Sequence, residues 1–138
     1  MSSTSLSIAV LHADPAQCEA LCDAIADEVG FRVVGGAGNG EELLAILRGA
    51  VAHVLVLDLA SAGEDAQALV SAVRAESPRT GVLLLLHGQG AAQVEPLMAR
   101  GAGGYLEMAR AGSDMAAALR TIGMGRRYLP DAPPALIS

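Results

Sequence analysis

The chain has 138 residues, a formal net charge of −6 and a hydrophobic content of 52%, which together are typical of one folded domain and exclude a disordered tail. The negative charge argues against nucleic acid as a direct partner of this domain. No apolar run approaches the ~20 residues of a membrane helix, and no basic residue precedes the first apolar stretch as in a secretory signal. We therefore expect a cytoplasmic protein with no membrane partner.

Short apolar runs alternate along the chain with longer segments of helical periodicity. The runs cover 6–11, 31–34, 54–57, 82–86 and 104–106, and their continuity is typical of strands buried on both faces of a parallel sheet. The helical segments cover about 15–29, 39–49, 64–76, 91–100 and 113–124. Five β–α repeats predict one doubly wound α/β domain over 6–125.

Capping signals mark the starts of three predicted helices. The stretch 14–17 (Asp-Pro-Ala-Gln) is a capping box with proline at the first helical position, and 39–42 (Asn-Gly-Glu-Glu) is a second box. Residues 113–114 (Ser-Asp) can start the last helix. Beyond residue 125 the periodicity ends, and 126–138 contains three prolines, which predicts a C-terminal linker or tail.

Two features of the side-chain inventory limit the chemistry. Cys18 and Cys22 share one face of the first helix but form neither a CxxC motif nor a zinc framework, so we interpret them as reduced packing thiols. All nine basic residues are arginines, and the chain contains no lysine.

Function in an open parallel sheet collects at the carboxyl ends of the strands. The residues there are His12, Ala13 and Asp14 after the first strand, 35–38 after the second, Asp58 after the third, 86–88 after the fourth, and Glu107 and Met108 after the fifth. The glycines of 35–40 do not form a dinucleotide fingerprint, because Glu41 stands where the third glycine is needed and because they follow the second strand.

Asp58 is the most informative of these residues. It emerges directly from the apolar run 54–57, where a charged residue either caps the following loop or serves as a reactive carboxylate. We expect the next helix to begin only near residue 64, so that the loop 59–63 needs no cap. We therefore interpret Asp58 as a reactive group.

Four stretches of the sequence carry a family resemblance. The first, 54–58 with Gly63 and Asp65, matches an apolar run followed by the pattern D-x-x-x-P-G-x-D-G. The second, 33–42, matches V-V-G-x-A-x-N-G-x-E, and the third, 100–106, loosely matches R-A-G-A-x-G-Y-L. The fourth matches G-x-R-Y-L through Gly125, Arg127, Tyr128 and Leu129. From about residue 8 to residue 129 the chain resembles the receiver domain of two-component response regulators, closest to the NarL/LuxR-type transcriptional regulators. The resemblance implies a (βα)5 flavodoxin-like fold with a five-stranded parallel sheet of order 2-1-3-4-5.

The same resemblance implies roles for individual residues. Asp58 stands at the position of the phosphoacceptor, which receives a phosphoryl group from a histidine kinase with the help of Mg²⁺. Tyr105 stands at the position of the family's switch aromatic. The segment 126–138 resembles the linker that leads to a helix-turn-helix output domain.

Four positions of the implied site depart from the family's pattern: His12, Ala13, Leu86 and Met108. His12 and Ala13 replace the acidic pair that holds Mg²⁺, an ion that prefers oxygen ligands. Leu86 replaces a serine or threonine, and Met108 replaces the family's lysine. A one-residue gap would move Asp14 into the acidic pair, as a metal ligand beside Asp58, and Arg110 could partly replace the charge of the lysine.

We therefore expect an atypical receiver that works as a phosphorylation-independent interaction and dimerisation module of a longer transcription factor. Such a factor would contact DNA only through a helix-turn-helix beyond this chain, and we expect no cofactor. The alternative is a conventional receiver, phosphorylated on Asp58 by a histidine kinase with Mg²⁺. A third possibility is a metal sensor in which His12, Asp58 and His87 converge on Zn²⁺. We expect no enzyme, because no nucleophile–base–orienter set is visible.

We expect the domain to form a homodimer. The resemblance implies two candidate dimer faces, one formed by the fourth and fifth helices and the other by the first and fifth. Acidic residues of the first helix can meet arginines near the last one: Asp23, Asp27 and Glu28 against Arg120, Arg126 and Arg127. Exposed ion pairs of this kind contribute only about 0–1 kcal/mol each.

Overall fold

The computed structural model describes residues 5–130, in which five strands alternate with five main helices. Strands β1 to β5 are Leu6–Leu11, Phe31–Ala37, Val54–Asp58, Gly81–Leu86 and Gly104–Glu107. Helices α1 to α5 are Pro15–Ala26, Gly40–Gly49, Ala66–Glu76, Ala91–Ala99 and Ala111–Gly123. A single helical turn at Leu59–Ala62 and two 3₁₀ turns, Gly63–Asp65 and Met108–Arg110, lie between them.

The five strands form one parallel sheet of order β2-β1-β3-β4-β5, which confirms the predicted doubly wound, flavodoxin-like fold. The inner strands β1, β3 and β4 are almost wholly buried, as their continuous apolar runs predict. The core has two halves, one on each face of the sheet. Leu43, Val73 and Leu97 pack into the half covered by α2, α3 and α4, whereas Leu21 and Leu119 pack into the half covered by α1 and α5.

The second strand is longer than predicted. The expected strand of 31–34 was too short, because β1 pairs with β2 along its whole length and so continues the strand through Gly35 and Gly36. These glycines let the flanking helices approach the sheet. A Cβ at Gly35 would lie 2.9 Å from Cδ1 of Ile46, and a Cβ at Gly36 would lie 2.8 Å from Sγ of Cys18.

Two helix ends also differ from the prediction. Helix α1 ends at Ala26 rather than near residue 29, because the chain turns towards β2 at Gly30, which has φ +97°. Helix α5 begins at Ala111 rather than Ser113, directly after the preceding 3₁₀ turn. In the described range 5–130, no helix is both long enough and apolar enough to cross a membrane.

The start of the predicted tail packs against the sheet. The backbone N–H of Tyr128 donates to Gly103 at 3.0 Å, and the N–H of Tyr105 donates to the Tyr128 carbonyl at 3.3 Å. A Cβ at Gly104 would overlap that carbonyl, so glycine permits the close approach. Residues 131–138 of the predicted tail lie outside the described residues.

Candidate functional site

The carboxyl ends of β1, β3 and β4 bring His12, Asp58 and His87 together at one edge of the sheet. Asp58 is the last residue of β3, and its side chain is 3% exposed, against 15% for His12 and 46% for His87. The three side chains line a cavity of about 450 Å³. The other residues that line this cavity are Gln17, Leu21, Ala60 and Met108.

The Asp58 carboxylate caps the short helical turn Leu59–Ala62. Its Oδ2 accepts hydrogen bonds from the backbone N–H of Ser61 at 3.1 Å and from the Ser61 hydroxyl at 2.6 Å. The expectation that 59–63 needs no cap was therefore wrong, because a helical turn starts immediately after β3 and its free amide requires an acceptor. The burial of Asp58 thus has a structural explanation that depends on no reaction.

Two imidazole rings flank the same carboxylate. Nε2 of His87 lies 2.9 Å from Oδ1 of Asp58, at hydrogen-bond distance, and Nε2 of His12 lies 3.6 Å from Oδ2. Nδ1 of His12 accepts a hydrogen bond from the backbone N–H of Asp14 at 3.1 Å. This contact places the proton of the neutral His12 ring on Nε2, which faces Asp58. Both carboxylate oxygens therefore face donor groups of the chain itself.

The residues after β1 are engaged in local hydrogen bonds. The backbone N–H of Ala13 donates to the Ser61 hydroxyl at 2.8 Å, so this hydroxyl bridges Ala13 to Asp58. The Asp14 carboxylate caps α1, as predicted, by accepting from two amides of its first turn at 2.9 and 3.3 Å. Asp14 does not line the cavity around Asp58.

The same edge of the sheet lacks a complete metal site. Within residues 5–130, no group of three or more histidine, cysteine, aspartate or glutamate side chains is arranged to hold a metal ion. The convergence of His12, Asp58 and His87 therefore does not form the zinc site considered as an alternative. Each histidine instead lies against the carboxylate that a metal would need.

The strand ends of β4 and β5 present apolar side chains at two implied site positions. Leu86 is fully buried in the core half covered by α2, α3 and α4, and the next residue, His87, is the one that reaches Asp58. Met108 lines the cavity. The guanidinium of Arg110 pairs with Asp114 at 3.2 Å and does not line the cavity.

Two residues that support the site were not recognised as such from the sequence. Ser61 stands three positions after Asp58, which is the N-cap to N3 spacing, and this spacing is the signal that would have revealed the contact. Glu107, at the end of β5, accepts a hydrogen bond from the Gly88 N–H at 3.0 Å. Because Gly88 follows His87, this bond ties the loop that carries His87 to the neighbouring strand.

Tyr105 does not line the cavity around Asp58. Its ring is buried in the core half covered by α2, α3 and α4. Burial raises the pKa of the Tyr105 phenol above its ordinary value, because desolvation disfavours the charged phenolate.

Comparisons with known proteins support the fold. No protein family model and no curated protein matches the chain, but solved structures do. A LuxR-family two-component response regulator from Aurantimonas sp. SI85-9A1 matches with a TM-score of 0.83 and 22% identity, over 96% of this chain and 93% of that chain. The signal receiver domain of the response regulator NarL from Mycobacterium tuberculosis matches with a TM-score of 0.80 and 25% identity, over 89% of this chain and 99% of that chain.

A longer regulator also matches. In a structure of two RcsB dimers bound to two parallel DNAs, the match has a TM-score of 0.81 and 18% identity and covers 93% of this chain but 64% of the RcsB chain. The match thus leaves about a third of RcsB uncovered. The chain described here has the fold of the receiver domains of LuxR- and NarL-type response regulators.

Proposed function

We propose that the chain is an atypical receiver domain of a LuxR/NarL-type transcriptional response regulator, and that it acts through protein contacts rather than through phosphorylation of Asp58. The observation that carries this proposal is the engagement of the Asp58 carboxylate. His87 faces Oδ1 at 2.9 Å, and Ser61 bonds Oδ2 twice. A carboxylate that attacks a phosphoryl group needs an accessible oxygen, and here each oxygen already faces a donor.

The surroundings of Asp58 also supply little charge neutralisation. Phosphoryl transfer depends on positioning and on cations that offset the charge of the transferred group. The side chain of Ala13 provides no oxygen ligand for Mg²⁺. The side chain of Leu86 provides no hydroxyl group, and that of Met108 provides no ammonium group. Of the described residues that line the cavity, only the two histidines can carry a positive charge. We infer that Asp58 is a poor phosphoacceptor.

The proposal is tested in the regulator that contains this domain by replacing Asp58 with asparagine. Asp58→Asn keeps a side-chain oxygen that can cap the turn at Ser61 and removes the nucleophilic carboxylate. We expect promoter binding or reporter output to stay within about threefold of wild type, a difference of less than about 0.7 kcal/mol. The matched control is Asp14→Asn, which makes the same change at the N-cap of α1. A tenfold or larger loss that is specific to Asp58→Asn, in a folded protein, would instead favour the conventional phosphorylated receiver.

We further propose that the domain forms a homodimer through the face shared by α1 and α5. A groove of about 280 Å³ lies between these helices. Its apolar walls include Leu21, Ile25, Phe31, Met115 and Leu119. The RcsB proteins of similar fold are dimers in their DNA complex. A second copy related by a two-fold axis would cover the same groove on both chains.

Charge complementarity favours a second copy of this chain as the occupant of the groove. The guanidinium of Arg120 lies over the Phe31 ring at 5.2 Å from its centroid, beside the groove. Asp27 and Glu28 are exposed at the end of α1 or just beyond it. Of the three arginines expected to meet these acids, only Arg120 lies beside the groove, because Arg126 and Arg127 line a different cavity.

Sedimentation equilibrium tests the dimer without any phosphodonor. We expect wild type to self-associate at hundreds of micromolar or below, an affinity within the weak range of protein pairs. Arg120→Glu should weaken the association, whereas Arg48→Glu, which makes the same charge change on α2, should not. A strict monomer that dimerises only after addition of a phosphodonor and Mg²⁺ would contradict both this dimer and the proposed function.

A further inference from the structure

Four of the nine arginines of the chain line one cavity at the end of the sheet opposite Asp58. This cavity has a volume of about 520 Å³ and lies where the loops before β4 and β5 meet the end of α5. The arginines are Arg74, Arg79, Arg126 and Arg127, and none of the described residues that line the cavity is an aspartate or glutamate. A protein with a net charge of −6 therefore concentrates positive charge at one concave site.

Three of these arginines have no compensating group in the described part of the chain. The side chains of Arg79, Arg126 and Arg127 are exposed and form no hydrogen bond or ion pair within residues 5–130. Elsewhere the chain pairs its arginines: Arg48 and Arg110 each lie beside a carboxylate, at 3.1 and 3.2 Å. Within residues 5–130, nothing therefore competes with an anion for these three guanidinium groups.

The fourth arginine forms a fixed wall of the cavity. Nη1 of Arg74 donates to the Thr80 carbonyl at 2.9 Å. Its Nε lies 3.1 Å from the position that a Cβ would take at Gly101, which has φ +109°, so the glycine leaves room for the guanidinium. The backbone amides of Gly81, Gly103 and other lining residues already donate to carbonyls. Recognition of an anion therefore falls to the guanidinium groups.

The four guanidinium groups come from two separate segments of the chain. Arg74 and Arg79 belong to α3 and the loop before β4, whereas Arg126 and Arg127 follow α5. A guanidinium binds a phosphate group through two parallel hydrogen bonds, so each pair of arginines suits one phosphate group. The cavity volume lies within the range of small-molecule sites, about 300–1,000 Å³. Ile122 and Ala102, both buried, give the cavity an apolar wall.

We propose that this cavity binds a small organic diphosphate, such as a nucleoside diphosphate, with one phosphate group held by each arginine pair and the organic part against the apolar wall. The bound anion would link the segment after α5 to the loop before β4. That segment leads to Tyr128, which is bonded to β5. The ligand would therefore set the path by which the chain leaves the domain.

Calorimetric titration with ADP, with AMP and with inorganic pyrophosphate, at low salt and without divalent metal, tests the proposal. The test variant is Arg79→Gln/Arg127→Gln, which removes two exposed side chains without partners and so should leave folding intact. The control is Arg32→Gln/Arg48→Gln, which removes the same charge from other positions. We expect ADP and pyrophosphate to bind wild type, ADP about tenfold more tightly than AMP, and the test variant to lose at least about tenfold in affinity. The control should stay within about twofold of wild type.

Several results would overturn the proposal. One is the absence of saturable binding of ADP and of pyrophosphate at about 5 mM, and another is equal weakening in the two double variants, which would indicate non-specific attraction. Binding of duplex DNA through the same arginines without competition by pyrophosphate would identify a nucleic-acid contact instead. A change in sedimentation of the test variant without any anion binding would identify a protein interface. None of these measurements depends on Asp58, so their results do not decide whether the proposed function is correct.

Discussion

The two ends of the sheet hold their charged groups in opposite ways. At the carboxyl end, Asp58 is 3% exposed, and both of its oxygens face donors from Ser61 and His87. At the amino end, Arg79 and Arg127 are exposed beside a cavity, and no described carboxylate pairs with them. Buried polar groups with partners contribute to stability, whereas unpaired cations remain available to ligands. Asp58, which the resemblance implies to be reactive, thus has the properties of a structural cap. The arginine cavity, for which the resemblance implies no role, has the unpaired charges that a binding site needs.

The largest expected effect is on the alkylation rate of a thiol of α1, which, like Asp58 but less completely, is shielded from solvent. Burial, together with the neighbouring Cys18 and Asp23, raises the pKa of the Cys22 thiol to about 11. At pH 8 the reactive thiolate of Cys22 is therefore about 100-fold scarcer than that of a thiol with the ordinary pKa of 9.0. Because a thiolate of higher pKa is also the stronger nucleophile, this difference is partly offset. We expect iodoacetamide to alkylate Cys22 about 20- to 100-fold more slowly than it alkylates glutathione, as measured by peptide mass mapping.

The control for this measurement is Cys18→Ala, which leaves Cys22 as the single thiol and removes both contributions of Cys18 to the raised pKa, its charge and its side-chain hydrogen bond. Its alkylation should be faster than in wild type but still slower than that of glutathione, because burial is the largest cause. The rate should rise about tenfold per pH unit between pH 8 and 10 as the thiolate forms. Alkylation of native Cys22 at the glutathione rate would show that this thiol is reactive rather than a packing group.

The second prediction concerns the stability supplied by Asp58. Asp58→Ala removes the acceptor of the two Ser61 hydrogen bonds and the partner of His87, so we expect a loss of about 2 kcal/mol in the free energy of unfolding. Arg127→Gln, at the opposite end of the sheet, should change it by less than about 0.5 kcal/mol. Urea denaturation measures both. Equal losses in the two variants would contradict the view that Asp58 is held by stabilising hydrogen bonds whereas Arg127 is unpaired.

The smallest expected effect is that of Mg²⁺. Ala13 offers no carboxylate, and the Asp14 carboxylate is occupied in capping α1, so Asp58 is the single carboxylate on the described wall of its cavity. One carboxylate is a weak site for an ion that requires several oxygen ligands. Calorimetry should show no sub-millimolar affinity for Mg²⁺. A sub-millimolar site that disappears in Asp58→Asn would show that the carboxyl end retains the chemistry of a conventional receiver.

The fold could be predicted from the sequence because its signals are local or periodic. Each inner strand is a continuous apolar run, each helix carries an apolar stripe, and the capping boxes at 14–17 and 39–42 mark two helix starts. The errors occur where tertiary contacts decide. Pairing with β1 extends β2 through Gly35 and Gly36, and the immediate turn after β3 makes Asp58 a cap.

The candidate site could be predicted only in part. The chain order of strands places His12, Asp58 and His87 at one edge, and the structure brings them together there. The identity of the contacts could not be predicted, because the sheet register decides that His87 rather than Leu86 reaches the carboxylate. The arginine cavity has no sequence signal at all, since its four cations come from segments about 50 residues apart that only the sheet topology brings together.

Intact-mass measurement after treatment with a small-molecule phosphodonor and Mg²⁺ tests the central claim most directly. Wild type, Asp58→Asn and a conventional receiver domain as positive control are treated side by side. Because both oxygens of Asp58 face donors, and because the described residues that line the cavity include no lysine, no serine or threonine and no second carboxylate, we expect wild type to match Asp58→Asn, with no gain of one phosphoryl mass while the control is modified. Accumulation of a singly phosphorylated species in wild type that is absent from Asp58→Asn would contradict the account.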